Sequence, residues 1–318
     1  MSILVTGGAG FIGSNLLHYL EQFGEEVICM DKLSYAADET NLPDYVKFYR
    51  TDIADEESVR NVFEEETITK VFHLAAESHV DNSIEDCKPF IHSNITGTVN
   101  LLQCALEHEV SRFMHISTDE VFGSIAYGSF NEISRYRPRN PYSASKAASD
   151  HFVNAYHTTY GLPTIITNCS NNYGPRQYYE KMVPKTILSI MNDIPVDVYG
   201  SGLQIRDWIY VDDHCSALVE LSKRGRVGQS YNVGGECELK NIELVHRIAR
   251  LMNKEFEINF VKDRPGHDFR YAIDASKIEL ELGWEAQESF DSGILKTVNW
   301  AYQTHRSTSL LFSLSFFS

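Results

Sequence analysis

The sequence predicts an α/β fold in which a doubly wound, parallel sheet is joined to a smaller C-terminal lobe. Six short runs rich in β-branched residues recur in the first half of the chain, and helix-like segments separate them. A turn rich in glycine joins the first run to the first helix-like segment. Because strands that alternate with helices form βαβ units, this order is typical of a sheet with parallel strands.

Each strand is predicted from its own run of apolar and β-branched residues. In chain order the runs are ILVTG, EVICMD, KFYRTDI, KVFHLAA, RFMHIST and PTIITNCSNNYG. Two crossover helices are predicted from SNLLHYLEQFG and NITGTVNLLQCALEHE, where Leu and Ile recur at spacings of three and four. Such spacing places apolar side chains on one helix face, and Ser, Asn or Thr near each start favours a helix N-terminus.

Two interleaved domains are predicted. Residues 1–170 form the sheet domain, to which the chain returns at about 205–235. Residues 171–204 and 236–318 form the smaller lobe, because after NNYGP the sequence changes to short elements punctuated by proline. The sequence contains no internal repeat and no low-complexity linker.

Composition excludes several classes of partner. The 318 residues carry 28 Lys and Arg against 44 Asp and Glu, and the resulting charge of -16 repels nucleic acid and anionic membrane surfaces. The six cysteines have no CxxC or Cys/His spacing, so we predict no metal site and expect reduced core thiols in a cytoplasmic protein. No apolar run is long enough to span a bilayer, the tail SLLFSLSFFS included, and MSILVTGGAG shows no targeting signal.

The turn VTGGAGFIG predicts a dinucleotide site of the Rossmann type. Gly7, Gly10 and Gly13 allow the backbone to approach a pyrophosphate at the start of the first helix. Asp31 ends the second predicted strand, where an acid binds the adenosine ribose and repels the extra phosphate of NADP, so NAD is predicted. The predicted NAD contacts also include Phe11, Ile12, Lys32, Asp52, Ile53, Leu74, Ala75, Ala76 and Ser78.

The stretch NPYSASK places a tyrosine and a lysine one turn apart on one helix. Asn140 is the predicted N-cap and Pro141 lies in the first turn, so Tyr142 and Lys146 share a helix face. The pKa of a free tyrosine is about 10, and a neighbouring ammonium and the positive nicotinamide both favour the phenolate. We therefore predict that Tyr142 is the base for a substrate hydroxyl, and that Lys146 lowers the pKa of Tyr142 and holds the cofactor ribose.

The glycine turn and the YxxxK pair together resemble the extended short-chain dehydrogenase/reductase family over nearly the whole chain. Within it, HLAAESHVDNSI, STDEVFG, NCSNNYGPRQ, IRDWIYVDDHC and DRPGHDFRYAID are similar to the dTDP-glucose 4,6-dehydratases. The resemblance implies bound NAD, the nucleotide sugar dTDP-glucose as substrate, and Thr118, Asp119 and Glu120 as the dehydration residues. It also implies a homodimer, for which 93–109 and 142–160 are the candidate helices.

The triplet of Thr118, Asp119 and Glu120 follows a predicted strand. Successive strand residues point to opposite faces, so the two acids serve one substrate only if the backbone leaves strand geometry there. Two close carboxyls do not both ionise readily, which suits one as acid and the other as base. We expect C4 oxidation with Tyr142 as base and Thr118 on the C4 oxygen, then C5 proton removal by Glu120, protonation of the C6 hydroxyl by Asp119 and hydride return to C6.

A chain with a net negative charge needs a local group of cations to bind a sugar nucleotide diphosphate. Arg206 is the firmest candidate, since Asp207 and the apolar WIYV beside it indicate a partly buried charge that requires partners. The resemblance implies that Ser78 and Thr118 contact the substrate, that Asn172 lies near the cofactor, and that the diphosphate is surrounded by Asn171, Lys181, Arg206, Asn241, Arg264 and His267.

Other interpretations stay open. A UDP-glucose 4,6-dehydratase, a sugar-nucleotide 4-epimerase or a UDP-glucuronate decarboxylase would use the same Tyr/Lys pair, although the last two do not need the acid pair. A catalytically idle NAD-binding protein is expected to lack Tyr142 or Lys146, and the chain has both. Asn82 replaces the usual Arg of the family and Ser201 a frequent Asp, so the choice between thymine and uracil is not fixed.

Overall fold

Three sheets are formed by the described residues, which in this computed structural model are 1–308, with the side chains of 1–304. The apolar tail, 309–318, lies outside them. The strands are β1 (Ser2–Thr6), β2 (Glu26–Asp31), β3 (Lys47–Arg50), β4 (Ile68–His73), β5 (Arg112–Thr118), β6 (Thr164–Cys169), β7 (Asn171–Tyr173), β8 (Val196–Tyr199), β9 (Ile205–Tyr210), β10 (Gln229–Val233), β11 (Glu238–Lys240) and β12 (Ile258–Val261).

Helices separate most of these strands along the chain. A π-helical segment, Ile91–Gly97, joins the fourth helix to the fifth. The helices are α1 (Phe11–Leu20), α2 (Glu56–Glu65), α3 (Val80–Glu85), α4 (Lys88–Phe90), α5 (Thr98–Glu107), α6 (Pro141–Tyr160), α7 (Met182–Met191), α8 (Val211–Arg224), α9 (Asn241–Met252), α10 (Ser276–Leu282) and α11 (Phe290–Thr308).

Seven parallel strands form the main sheet, in the order β10-β6-β5-β4-β1-β2-β3. The chain starts at β1, builds outward to β3, returns to β4 and then builds in the other direction, so the predicted doubly wound α/β class is confirmed. All six predicted strand runs are strands, but the last run divides at Ser170 into β6 and β7, which belong to different sheets. The order of strands reverses between β1 and β4, where such folds bind ligands.

Apolar cores cover both faces of the main sheet. Along β1, Ile3 and Val5 belong to the core beneath α1 and α8, whereas Leu4 belongs to the core beneath α2 and α5. This alternation follows from the two-residue period of a strand, and burial on both faces is typical of parallel sheets. The strands, and with them their carboxyl ends, are therefore fixed between two apolar cores.

The smaller lobe contains the three-stranded sheet β11-β9-β7, the parallel pair β12-β8 and the helices α7, α9 and α11 around a third core. β9 lies in this small sheet. α8 packs against the seven-stranded sheet, and β10 is one of its strands. α10 also packs against β10 and α8. The domain bounds given above stay a prediction.

Candidate active site

A cleft of about 300 Å³ opens at the carboxyl ends of the central strands, where the strand order reverses. Asp52 lies beside this cleft, with its Oδ2 atom 3.8 Å from Lys32 Nζ. The cleft brings together most of the predicted residues: Gly7, Gly10, Phe11, Ile12, Gly13, Asp31, Lys32, Ile53, Leu74, Ala75, Ala76, Ser78, Thr118, Asp119, Glu120, Tyr142, Lys146, Asn171, Asn172 and Lys181.

The glycine turn has the geometry that a dinucleotide requires. Gly7 has a φ of 72°, and a Cβ atom there would lie 2.6 Å from the backbone nitrogen of Ala75. Asp31 accepts hydrogen bonds from the backbone N–H groups of Ala9, at 3.0 Å, and Leu33, at 2.8 Å. The bare backbone at the start of α1 and the acid at the end of β2 thus fit NAD, with pyrophosphate at the helix N-terminus and ribose at Asp31.

We expect two substitutions in this turn to have different effects. A Cβ atom at Gly13 would lie 2.1 Å from Gly7 O, so Gly13→Ala should lower the free energy of unfolding by roughly 3 kcal/mol. At Gly10 a Cβ atom meets only Gly7 O, at 3.3 Å, so Gly10→Ala should keep the fold and weaken NAD binding. Urea unfolding and titration with NAD measure the two quantities; equal stability of both variants would contradict the prediction.

The acidic triplet leaves strand geometry as predicted. β5 ends at Thr118, and a 3₁₀ turn, Asp119–Phe122, follows it. Thr118 Oγ1 accepts a hydrogen bond from the backbone N–H of Glu120 at 3.3 Å, and Gly123 ends the turn with a φ of 84°. Because of this turn, Asp119 and Glu120 both line the cleft.

Asp119 is buried beside other acids, an environment that disfavours its ionised form. Its side chain is 3% exposed, and Thr118 Oγ1 donates to its Oδ1 atom at 3.4 Å. Burial, followed by the negative charges of Glu120 and Asp207, raises the pKa of Asp119 well above its usual value. The direction of this shift is the one expected for the acid of two close carboxyls, and the acid and base roles of the pair stay a prediction.

Asp119→Asn should therefore stabilise the protein while it removes the acid. A carboxyl with a raised folded pKa binds its proton more tightly in the folded state, so folding stability falls as pH rises from 3.8 through the raised value. Asparagine does not titrate, so the variant does not lose folding stability in this way as pH rises. We expect the Tm of the variant to exceed that of the parent by at least about 2 °C at pH 8, and by less at pH 4. A Tm difference that does not change with pH would contradict this sign.

Three side chains lie within hydrogen-bonding distance of Glu120, and the sequence analysis named only one of them, Asn140. Glu120 Oε2 accepts from Asn140 Nδ2 and Ser143 Oγ, each at 3.3 Å, and from Tyr271 OH at 3.4 Å. Asn140 is also the predicted N-cap of α6 and accepts from the Ser143 N–H at 2.8 Å. Tyr271 comes from a loop of the smaller lobe, and only the YAID stretch marks it in the sequence.

Tyr142 and Lys146 lie one turn apart on α6 as predicted, but their electrostatics differ from the prediction. Lys146 is 4% exposed, and its Nζ atom donates to the carbonyl oxygen of Ile116 at 2.8 Å. Burial and the charge of Glu120 raise the pKa of Tyr142 well above 10, and a hydrogen bond with Thr118 only partly opposes them. In the chain without a cofactor, burial and the neighbouring acids set the direction of this shift; that Lys146 and the nicotinamide charge lower the pKa of Tyr142 stays a prediction.

Three of the predicted substrate residues, Arg206, Arg264 and His267, line a smaller pocket that shares Glu120 and Asn171 with the main cleft. The Arg206 guanidinium lies 4.1 Å from the ring centroid of Tyr271, and its Nη2 atom donates to Asp268 O at 2.9 Å. Asn241 lines neither pocket; it begins α9, and its N–H donates to Gln204 O at 2.9 Å.

Residues 174–181, which we call the strap, connect the smaller lobe to the sheet domain around the cleft. Asn15 in α1 donates to Pro175 O at 3.0 Å and accepts from Arg176 Nη1 at 2.9 Å. Tyr35 OH donates to Glu180 Oε1 at 3.0 Å, and Lys181 Nζ donates to Ser78 O at 3.0 Å. The strap also contributes cleft residues that the sequence analysis missed: Gln177, Tyr178 and Glu180.

Other missed cleft residues are neighbours of predicted ones. Ser117 precedes the acidic triplet, and Cys169 and Ser170 precede Asn171, so strand-end position is the signal that marks them. All six cysteines are free. Within residues 1–308 no group of His, Cys, Asp and Glu side chains is arranged to hold a metal ion.

Fold and site together define a short-chain dehydrogenase/reductase with a Rossmann-type sheet. A family model described as GDP-mannose 4,6 dehydratase matches residues 4–297, and the chain belongs to this family. A probable dTDP-glucose 4,6-dehydratase of Sinorhizobium fredii is 50% identical over 94% of this chain and 92% of its own length. A dTDP-glucose 4,6-dehydratase of Haemophilus influenzae is 48% identical over 94% and 97%.

Solved structures agree with the sequence relatives. A dTDP-glucose 4,6-dehydratase of Streptomyces venezuelae, crystallised with NAD and dTDP, has a TM-score of 0.92 and 42% identity over 96% of this chain and 98% of its own. A UDP-glucose 4-epimerase of Thermotoga maritima, crystallised with UDP-glucose, has the same TM-score but 29% identity, over 96% and 100%. The resemblance drawn from the sequence is thereby confirmed.

Proposed function

We propose that the protein converts dTDP-glucose to dTDP-4-keto-6-deoxyglucose and water as an NAD-dependent lyase. The observation that carries this is the acid pair: Asp119 and Glu120 line one cleft with Tyr142, and burial and neighbouring acids raise the pKa of Asp119. Relatives with 46–50% identity have this activity in their names. A 4-epimerase or a decarboxylase has the same fold and the same Tyr/Lys pair, but its reaction does not need an acid and a base for the elimination of water.

Each side chain of the cleft has one task in this reaction. Bound NAD would supply the means to oxidise C4 and later to reduce C6. Tyr142 takes the proton of the C4 hydroxyl, and Thr118, which hydrogen-bonds Tyr142, orients the C4 oxygen. Glu120, held by Asn140, Ser143 and Tyr271, removes the C5 proton that the C4 ketone acidifies.

Asp119 completes the elimination. Its buried carboxyl protonates the C6 hydroxyl as that group departs as water, which requires an acid that keeps its proton near neutral pH. As C6 is reduced, Glu120 returns its proton to C5, and the proton that Tyr142 takes from the C4 hydroxyl balances the one that Asp119 gives up. The cleft thus returns to its starting charge when the keto sugar is complete.

The smaller pocket suits the diphosphate of the nucleotide. Arg206 is 7% exposed, and its contacts are to carbonyl oxygens and an aromatic ring rather than to an acid, so its charge is available to a phosphate. Arg264 and His267 line the same pocket, and Lys181 and Asn171 lie at its junction with the cleft. An anionic ligand therefore finds local cations despite the overall charge of -16.

A homodimer in the cytoplasm is the assembly that we propose. Along the two candidate helix segments Leu102 and Ala147 are buried within the chain, whereas Phe152 is 42% exposed, and Ile91, two residues before the first segment, is 50% exposed. Such an apolar surface on packed helices is available to a second copy. Among residues 1–308, no helix has the length and apolar character needed to cross a bilayer.

The first experiment is to incubate the purified protein with dTDP-glucose, without added NAD, and to follow the nucleotide sugar by mass spectrometry. UDP-glucose and UDP-glucuronate are run in parallel. Loss of one water from dTDP-glucose is the expected result. Faster loss of water from UDP-glucose would show that the preferred substrate is the uracil nucleotide. Loss of carbon dioxide from UDP-glucuronate would identify a decarboxylase, and an isomerised sugar of unchanged mass would identify an epimerase.

A further inference from the structure

A buried acid, Asp268, lies behind Tyr271 as seen from Glu120. The Tyr271 OH lies 2.9 Å from Asp268 Oδ2 and 3.4 Å from Glu120 Oε2. The other carboxylate oxygen of Asp268, Oδ1, accepts from Arg139 Nη1 at 3.0 Å. Tyr271 and Asp268 are 4% and 1% exposed. The reaction described above assigns nothing to Asp268, although a buried acid in the wall of the smaller pocket calls for an explanation.

The Tyr271 hydroxyl has one proton, so it donates to one of its two acceptors at a time. Burial and the charge of Glu120 raise the pKa of Tyr271 well above its usual value, which keeps that proton on the hydroxyl. The contact with Asp268 is the stronger one, because 2.9 Å is a usual O–H···O distance and 3.4 Å is longer than usual. Since Asp268 also pairs with the Arg139 guanidinium, it accepts as a carboxylate. The hydroxyl therefore donates to Glu120 only when it turns away from Asp268.

We propose that Asp268 is a positioning residue that holds the Tyr271 proton away from Glu120. The Tyr271 oxygen is then free to accept a hydrogen bond from Glu120 once Glu120 has taken the C5 proton. A lone pair that faces a carboxyl group stabilises its protonated form and not its carboxylate. A base whose protonated form is stabilised removes a proton more readily. The inference rests on the proposed function, in which Glu120 is the base for C5.

Other charged and titratable groups face Glu120 across the cleft and the smaller pocket. They are Asp119, Tyr142, Lys181, Arg206, Arg264 and His267. These groups act on Glu120 through space, whereas Asp268 acts through the orientation of one hydroxyl. The two kinds of effect are therefore separated by removing that hydroxyl while every other group is kept.

Asp268→Asn tests the direction of the hydrogen bond. The amide oxygen of the variant can accept from Arg139, and its NH₂ group then donates to the Tyr271 oxygen, which turns the Tyr271 proton to Glu120. Elimination is measured across pH by rapid mixing with dTDP-glucose, through the decay of reduced cofactor that follows oxidation. We expect the acid limit of that rate to move down by about one pH unit, and elimination at alkaline pH to be roughly threefold slower. The rate of C4 oxidation, which uses Tyr142, should not change.

Tyr271→Phe is the matched control, because it removes the hydroxyl and keeps the charge of Asp268. In the Tyr271→Phe background, Asp268→Asn should leave the acid limit where Tyr271→Phe alone puts it. If Asp268→Asn moves the limit equally with and without the hydroxyl, the charge of Asp268 acts through space and the proposal is overturned. An acid limit of Asp268→Asn that equals that of the parent would also overturn it.

Titration of Glu120 in the absence of substrate tests the hydrogen bond apart from catalysis. The carboxyl carbon is followed by NMR in protein with isotope-labelled glutamate, and Glu120→Gln identifies its signal. We expect this signal to titrate about one pH unit lower in Asp268→Asn than in the parent. It should also titrate at lower pH in Tyr271→Phe, because the protonated carboxyl loses its acceptor.

Tyr271→Phe leaves the buried acid in place, so it decides the question even if Asp268→Asn does not fold. A Glu120 signal that titrates at a higher or an unchanged pH in Tyr271→Phe would show that the hydroxyl does not accept from Glu120, and would refute the proposal. A parent that leaves dTDP-glucose unchanged would refute the proposed function instead, since the titration does not depend on turnover.

Discussion

Tyr142→Phe is expected to abolish oxidation of the sugar at C4 while nucleotide binding is kept. Phenylalanine retains the ring that packs edge-on against Phe90 but has no oxygen to take the C4 proton. Loss of a positioned general base typically costs 10²- to 10⁴-fold, so turnover should fall on the order of a thousandfold. Stopped-flow absorbance with dTDP-glucose should show no build-up of reduced cofactor at any time.

Tyr156→Phe is the matched control for this variant. Tyr156 lies on the same helix, and its hydroxyl donates to Gln103 Oε1 at 3.2 Å, away from the cleft. Its turnover should equal that of the parent. If Tyr142→Phe still accumulates reduced cofactor at the parent's rate, another group takes the C4 proton and the assignment is wrong.

Glu120→Gln is expected to let oxidation begin and then stop the reaction. Glutamine keeps the size and the hydrogen-bonding capacity toward Asn140 and Ser143, but it is no base for the C5 proton. Turnover should again fall on the order of a thousandfold. Unlike Tyr142→Phe, this variant should show reduced cofactor that persists, with a 4-keto sugar nucleotide that has not lost water when the reaction is quenched.

Glu64→Gln, an exposed substitution on α2, controls for the loss of one negative charge. It should behave as the parent does. Identical kinetics for Tyr142→Phe and Glu120→Gln would contradict our assignment of Tyr142 to oxidation and of Glu120 to elimination.

The sheet and the glycine turn were predictable because local patterns encode them. Each strand of the first half carries its own β-branched run, and Asn140 with Pro141 marks the start of α6 directly. The bend after Thr118 was inferred because two acids on one strand cannot otherwise share a cleft. Such features depend on residues close together in the chain.

The features that were missed depend on distant parts of the chain. Tyr271 reaches Glu120 across 151 positions, and no spacing rule connects them. The raised pKa of Tyr142 follows from burial and from the charge of Glu120, which a helix diagram of Tyr142 and Lys146 does not contain. The division of the sixth run into two strands likewise follows from pairing with β9, whose partner cannot be read from the run itself.

The hydrogen bonds of the strap bear on how readily a bound cofactor can leave the cleft. Four hydrogen bonds, each contributing about 1 kcal/mol, hold the strap to Asn15, Tyr35 and Ser78. Since the strap and the glycine turn line the same cleft, we expect these hydrogen bonds to slow the exchange of a molecule bound against the turn. Because the proposed reaction returns the cofactor to its starting state, such exchange is unnecessary, and we expect the rate law to contain the sugar nucleotide alone. We therefore expect turnover to be independent of the ratio of oxidised to reduced nicotinamide in the surrounding solution.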